Sequence, residues 1–351
     1  MKRNLFALFT IFILLSGVLL TGCSTNNQEK SQSAGEQAVV KVNEEASLTV
    51  YTSMYPLYDF TSKIAGEKAK VINLVPVGSE PHDYEPTAKD LIDLSSADLF
   101  VYNGGGFESW IEKIVQSVSS QNPNLLILDS TKDIVLLNAN EHGEEAHKEE
   151  AHEEHAHEEH AHEEEQHSEE GHEHGEFDPH VWLDPVLAKQ QAESIKNALV
   201  KLDPNNAQHY ENNYKELALQ FDELHAKYEE LSKNIARKDF VVSHSAFSYL
   251  ANRYQLNQMS ITGLDPSNEP SAQELKKIVE FMKEHQIEYV LFENLITPKV
   301  AEVVKAEVGA ESLTLHNLEG LTKEEQSQGK DYFSIMEENL ENLKIALGYK
   351  K

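Results

Sequence analysis

From Leu48 onward the apolar positions fall into short runs, each followed by a stretch in which they recur every three or four residues. Four runs come first, at residues 48–53, 69–77, 98–103 and 124–130, with helical patterns at 55–65 and around 110–118. A second series (239–244, 257–261, 288–293 and 312–316) alternates with helical patterns ending at 253 and covering 271–285 and 298–308. An amphipathic pattern over 333–347 closes the chain. Strands alternating with helices predict parallel sheet covered by helices on both faces. Between the two series lie helical patterns at 186–202 and 205–234, separated by Asp203-Pro204, a stop and restart signal. In the second of these, Tyr210, Tyr214, Leu217, Phe221, Leu224, Tyr228 and Leu231 form one stripe. Over about 30 residues that is a helix of roughly 45 Å, long enough to bridge two lobes. The expected class is α/β: two αβ lobes with mostly parallel sheets, joined by a long rigid helix, with ligands at the carboxyl ends of the strands in the cleft between lobes. The lobes are expected at 47–204 and 236–351, with the linker helix at 205–235. Gly104-Gly105-Gly106 lacks the Lys-Ser/Thr of a phosphate loop and the spacing of a dinucleotide site, so it reads as a tight strand-to-helix turn.

The chain before Leu48 has a different texture. Lys2 and Arg3 precede an apolar run from Leu5 to Leu20 that ends in Thr21-Gly22-Cys23. A basic start, a short apolar core and small residues make a secretory signal over residues 1–22; the run is too short for a membrane span, which takes about 20 apolar residues. Leu20-Thr21-Gly22-Cys23 resembles a bacterial lipobox, in which the cysteine is acylated and becomes the first residue of the mature protein. That implies a lipid anchor at Cys23, the single cysteine of the chain. Residues 23–46 are polar and aperiodic, a flexible tether spanning roughly 25 Å.

The 351 residues fit about two domains, and 40% hydrophobic residues suffice for a core. Asp and Glu number 60 against 30 Lys and Arg, a formal net charge of −30. Nucleic acid and anionic lipid surfaces are disfavoured partners, because phosphate binding needs clustered cations. The charge is uneven: residues 141–176 hold 16 Glu and one Lys. Ten histidines share that insertion: His142, His147, His152, His155, His157, His160, His162, His167, His172 and His174. It cannot bury enough apolar surface to offset its ordering entropy, so 138–176 is expected to be disordered without metal. Its closely spaced imidazoles suit a low-affinity collector of a cation such as Zn²⁺. The H-E-x-x-H spacing of a zinc protease is absent.

Three other histidines fall where a cleft should be. His82 lies in the loop GSEPHDYEPT after a strand, His180 in FDPHVWLDP, and His244 at the end of FVVSH; Glu293 ends the apolar strand YVLFE. Three imidazoles and one carboxylate favour tetrahedral Zn²⁺, whereas Mn²⁺ prefers more oxygen. GSEPHDYEPT, DPHVWLDP, SHSAFSYL and LFENL, in this order after a lipobox, resemble the metal-binding lipoproteins of bacterial ABC importers. The acidic His-rich loop before the second ligand places the resemblance in the zinc branch. It covers the chain from Leu48 to Leu347 and implies ligands at His82, His180, His244 and Glu293, with Glu80 or water as alternatives for the fourth. The manganese branch typically has Glu at the third position and Asp at the fourth, and this chain departs from it at His244.

The resemblance further implies capture of Zn²⁺ at the extracellular face of a Gram-positive cell membrane and delivery to a separate permease driven by a cytoplasmic ATPase. A manganese-binding homologue of the same importer family is the first competing expectation, followed by a zinc hydrolase and a surface adhesin. Against the hydrolase, a fourth protein ligand closes the position that catalytic water needs. His209, His225 and His285 are expected to be solvated on helices; His316, at a strand end, lies near the cleft without matching a ligand motif.

Overall fold

The computed structural model describes residues 48–139, 177–268 and 270–350. The signal, Cys23, the tether and the ten histidines of the insertion lie outside the described residues. The first half runs β1 (Leu48–Thr52), α1 (Tyr55–Ala65), β2 (Ala69–Asn73), α2 (Ala88–Leu94), β3 (Leu99–Tyr102), α3 (Ile111–Gln121) and β4 (Leu126–Asp129). Two long helices follow, α4 (Pro185–Leu202) and α5 (Ala207–Lys233). The second half runs β5 (Asp239–Val242), α6 (Ser248–Tyr254), β6 (Asn257–Ser260), α7 (Ala272–Glu284), β7 (Tyr289–Phe292), α8 (Lys299–Val308), β8 (Glu311–Thr314), α9 (Lys323–Ser327) and α10 (Tyr332–Ala346).

Each half carries a four-stranded sheet, ordered β2-β1-β3-β4 and β6-β5-β7-β8, and every pairing is parallel. The order reverses beside β1 and β5, which opens a crevice at the carboxyl end of each sheet. Successive residues of a strand face opposite sides. In β3, Leu99 and Val101 join a core shared by both halves while Phe100 joins an outer cluster with Trp110 and Val118. In β5, Phe240 and Val242 face the shared core and Val241 faces Ile278 and Val304. Both sheets are therefore covered on two sides, as their continuous apolar runs require.

The helices begin and end where local chemistry dictates. The Asp184 side chain accepts the Val186 N–H at 2.9 Å and Pro185 fills the first turn of α4. Pro204 opens a single tight turn before α5. On α5 the stripe Tyr210, Leu217, Phe221, Leu224, Tyr228 and Leu231 is buried and Tyr214 is partly buried. That face packs against α1 and α4 of the first half and against α10 and α6 of the second, so α5 binds the halves together. Among the described residues no helix is long and apolar enough to cross a membrane.

Gly104, Gly105 and Gly106 all have positive φ and form the turn between β3 and α3. A Cβ on Gly104 would lie 2.3 Å from Asp129 Oδ1, and one on Gly105 would lie 3.4 Å from the Pro179 Cα. Glycine thus lets this turn press against residues 178–184.

Candidate metal centre

Residues 178–184 form a short connection that the second half grips from several sides. Trp182 Nε1 donates to the Asn317 carbonyl at 2.7 Å, and the Tyr332 hydroxyl donates to the Trp182 carbonyl at 2.7 Å. Arg253 Nε donates to Asp184 Oδ2 at 2.5 Å. From the first half, Asn103 Nδ2 donates to the Pro179 carbonyl at 2.9 Å. His180 sits inside this frame with no exposed surface.

Four groups meet at the strand ends. His82, His180, His244 and Glu319 each offer one ligand atom, and these atoms all lie within 4.8 Å of one another. The His180 and His244 ring centroids are 5.1 Å apart, and those of His82 and His244 are 5.6 Å apart. Phe107 packs on His82 at 4.8 Å and Trp182 packs on His180 at 5.2 Å, so aromatic walls hold the imidazoles. His180, His244 and Glu319 are buried, while His82 keeps a tenth of its side chain exposed.

Hydrogen bonding commits one nitrogen of two rings and leaves the other bare. Asp178 Oδ1 accepts from His180 Nδ1 at 2.8 Å, and the Leu264 carbonyl accepts from His244 Nε2 at 2.8 Å. The nitrogens left without a hydrogen-bond partner are His82 Nε2, His180 Nε2 and His244 Nδ1, joined by both carboxylate oxygens of Glu319. Glu319 Oε1 lies 3.4 Å from His82 Nε2 and 3.4 Å from His180 Nε2. Unpartnered buried polar atoms are rare, because each forfeits its hydration. Five in one place, all of them donors of lone pairs, make a site shaped for a cation. Carboxylate support of a ligating imidazole is what metal sites use to fix the tautomer and raise ligand basicity.

The ionisation states express the same crowding. Burial alone would lower the His244 pKa, but the Glu293 carboxylate outweighs it, and the ring is pushed up to about 10. For His180 burial again acts downward and Asp178 outweighs it, raising the pKa. Burial would raise Glu319, yet the surrounding imidazoles, His82 first, hold it well below the ordinary carboxylate range. Glu80, beside His82, is pushed up to about 9 by burial and then by the Glu319 charge.

The carboxylate of the cluster corrects the expectation from the sequence. Glu293 is not a member of the group. Its Oε1 lies 3.0 Å from His244 Nδ1 and accepts from Ser243 Oγ at 3.3 Å, while its Oε2 accepts from Asn317 Nδ2 at 2.8 Å. Held by these donors just past β7, it approaches the Nδ1 side of His244 alone and stays outside the group that His82, His180, His244 and Glu319 form. Glu319 comes from the irregular loop after β8, where no strand period points to it. Leu318, immediately before it, is buried with φ of 62°, a left-handed conformation that costs a residue with a Cβ roughly 1–2 kcal/mol. Asn339 secures the start of that loop, accepting the His316 N–H at 2.8 Å and donating to the His316 carbonyl at 2.7 Å. Asp178 was also in plain view, within the DPH motif, but only the folded geometry gives it a role.

The remaining histidines stand apart from the cluster. His316 Nδ1 accepts the Leu318 N–H at 2.8 Å, and its Nε2 lies 3.4 Å from Glu325. His209 is half-buried against the Ala65 carbonyl at 3.0 Å and His225 against the Tyr254 hydroxyl at 3.0 Å, so neither is simply solvated. His285 is exposed, stacked on Phe281 and paired with Asp239.

Comparison with known proteins places the whole architecture. The family described as zinc-uptake complex component A, periplasmic (ZnuA), matches residues 50–346. The high-affinity zinc uptake system protein ZnuA of Bacillus subtilis is 38% identical over 339 residues, covering 96% of this chain and 97% of that one. The zinc-binding lipoprotein AdcA of Streptococcus pneumoniae is 36% identical over 307 residues, covering 86% of this chain and 56% of AdcA, so the chain spans a little over half of that longer relative. Among solved structures, the metal-dependent lipoprotein YcdH of Bacillus subtilis superposes with a TM-score of 0.68 at 37% identity, covering 86% of this chain and 99% of that one. Zn(II)-bound AdcA of Streptococcus pneumoniae gives a TM-score of 0.68 at 33% identity, over 86% of this chain and 58% of that one. Two parallel sheets, a bridging helix and a buried imidazole cluster at the strand ends accompany a match over nearly all of the described chain, and the protein belongs to the ZnuA family of zinc-uptake solute-binding proteins.

Proposed function

We propose that this chain is the extracytoplasmic zinc-binding component of an ABC importer, holding Zn²⁺ through His82, His180, His244 and Glu319 and delivering it to a membrane permease. The observation that carries this reading is the convergence of three bare imidazole nitrogens and an unpartnered buried carboxylate. Three nitrogens and one oxygen match the tetrahedral preference of Zn²⁺, while Mn²⁺ favours more oxygen ligands. Four protein ligands leave no open position for the activated water of a hydrolase, which favours carriage over catalysis. The permease and its cytoplasmic ATPase are separate chains in this reading. Cys23, through its lipobox-like setting, anchors the protein to the outer face of the membrane, and the ten-histidine insertion collects metal weakly.

Competition of Zn²⁺ against Mn²⁺ on the purified mature protein, with metal content determined, tests the assignment. One tightly held Zn²⁺ per chain, lost in His180→Ala, is expected; preference for Mn²⁺, or tight zinc retained in that variant, would overturn it.

A further inference from the structure

Tyr249 lies on α6, in the second half of the chain, and is buried. Its hydroxyl donates to the Asp178 carbonyl at 2.6 Å and accepts the Leu137 N–H at 2.9 Å. Those two residues are themselves joined, since the Asp178 N–H donates to the Leu137 carbonyl at 2.9 Å and Asn138 pairs with Phe177 in an antiparallel bridge. The phenol thus occupies the point where the chain leaves for the acidic insertion and returns from it. From that point Asp178 reaches the metal centre, its Oδ1 accepting both the His180 backbone N–H at 2.9 Å and His180 Nδ1.

Resting on the zinc-site reading above, we infer that Tyr249 is a positioning residue for the metal centre, acting through Asp178 to hold His180 with Nε2 bare and aimed at the ion. The chain of contacts has no slack. The phenol fixes the backbone of Asp178, the Asp178 carboxylate fixes the tautomer and direction of the imidazole, and the imidazole supplies the ligand atom. Ligands fixed before binding leave less ordering to be charged against it. Because the phenol comes from the opposite half, it also makes the direction of His180 depend on the packing of α6 against residues 177–178.

The experiment uses the full chain and reads zinc dissociation into excess chelator, with cobalt-substituted protein reporting ligand geometry through its visible bands. Tyr249→Phe keeps every ring carbon and removes both hydrogen bonds. It is expected to speed dissociation ~10-fold or more, in the range of mutations behind a ligating histidine, and to shift the cobalt bands. Tyr228→Phe is the control for a purely structural loss, because that equally buried hydroxyl donates to the Met336 carbonyl at 2.8 Å, on α10 away from the cluster. It should lower the urea midpoint and leave dissociation unchanged. Asp178→Asn should reproduce the dissociation effect, and the double variant should be no worse than the worse single one, since both act along one path. Dissociation from Tyr249→Phe within about twofold of wild type, equal effects of Tyr228→Phe, or additive losses in the double variant would overturn the inference. If Tyr249→Phe fails to fold, Asp178→Asn decides alone, and unchanged dissociation there refutes it. Absence of a tight zinc site in the wild-type chain would instead refute the functional reading itself, and the positioning role with it.

Discussion

At the scale of single residues, what matters is which carboxylate faces the imidazoles. Glu293 and Glu319 are both buried, and both lie near His244. Only Glu319 has two oxygens without partners; those of Glu293 are engaged by Ser243 and Asn317. Replacing a ligand removes a bond to the ion, whereas replacing a group that only supports the ligands typically costs 10–100-fold in affinity. Glu319→Ala is therefore expected to weaken zinc binding by more than ~100-fold, and Glu293→Gln by less. Competition with a chromophoric chelator measures both. A larger loss at Glu293 would restore it as the ligand. The three histidines were readable from the sequence because each sits in a short motif, His82 and His244 after apolar runs and His180 in FDPHVWLDP after the acidic insertion. Glu319 was not, since it belongs to a loop whose direction is set by Asn339, Asn317 and the left-handed Leu318.

Among the elements, strands were more legible than short helices. The central strands β1, β3, β5 and β7 are buried and leave continuous apolar runs, and all eight strands, the largely exposed β8 included, lie within the runs read from the sequence or extend one residue past them. The seven-residue α2 and five-residue α9 escaped, being too short to show a period, with only Leu94 of α2 buried and nothing of α9. Their capping boxes, Thr87 with Asp90 and Thr322 with Glu325, were the signal available. The α9 box also steadies the loop that carries Glu319. Glu325 Oε2 accepts the Thr322 N–H at 2.9 Å, and Oε1 lies 3.4 Å from His316 Nε2. Burial would raise the Glu325 pKa, but His316 and Thr322 outweigh it and hold it down at about 2. A carboxylate depressed on folding contributes stability that is fully present above its ordinary value of 4.5 and is lost as pH falls toward 2. Thr322→Ala should cost about 1 kcal/mol. Glu325→Gln should flatten the fall in stability between those pH limits. Urea midpoints across that range check both, and an unchanged slope in Glu325→Gln would remove Glu325 from the acid sensitivity of the fold.

For the whole molecule, the decisive fact is that all four groups of the centre come from packed structure outside the acidic insertion. His82 follows β2, His180 is framed by both halves, His244 follows β5 and Glu319 follows β8. The composition of the insertion predicts no such frame, so each metal bound there is expected to order chain at roughly 1–2 kcal/mol per residue fixed. Tight and weak binding should therefore separate in space. The stem allows a clean test, because Asn138 pairs with Phe177 and deleting residues 141–174 leaves Ala139, Asn140, Gly175 and Glu176 to close the turn. Four residues are enough for a hairpin connection. Calorimetric titration of the intact and shortened proteins should show one tight zinc site in both and several weaker sites only in the intact chain. The weak sites should fade as pH falls through about 6.5, since imidazole must be neutral to ligate. If the tight site vanished with the deletion, the insertion would be supplying a primary ligand, and Glu319 would be the first of the four to give up its place.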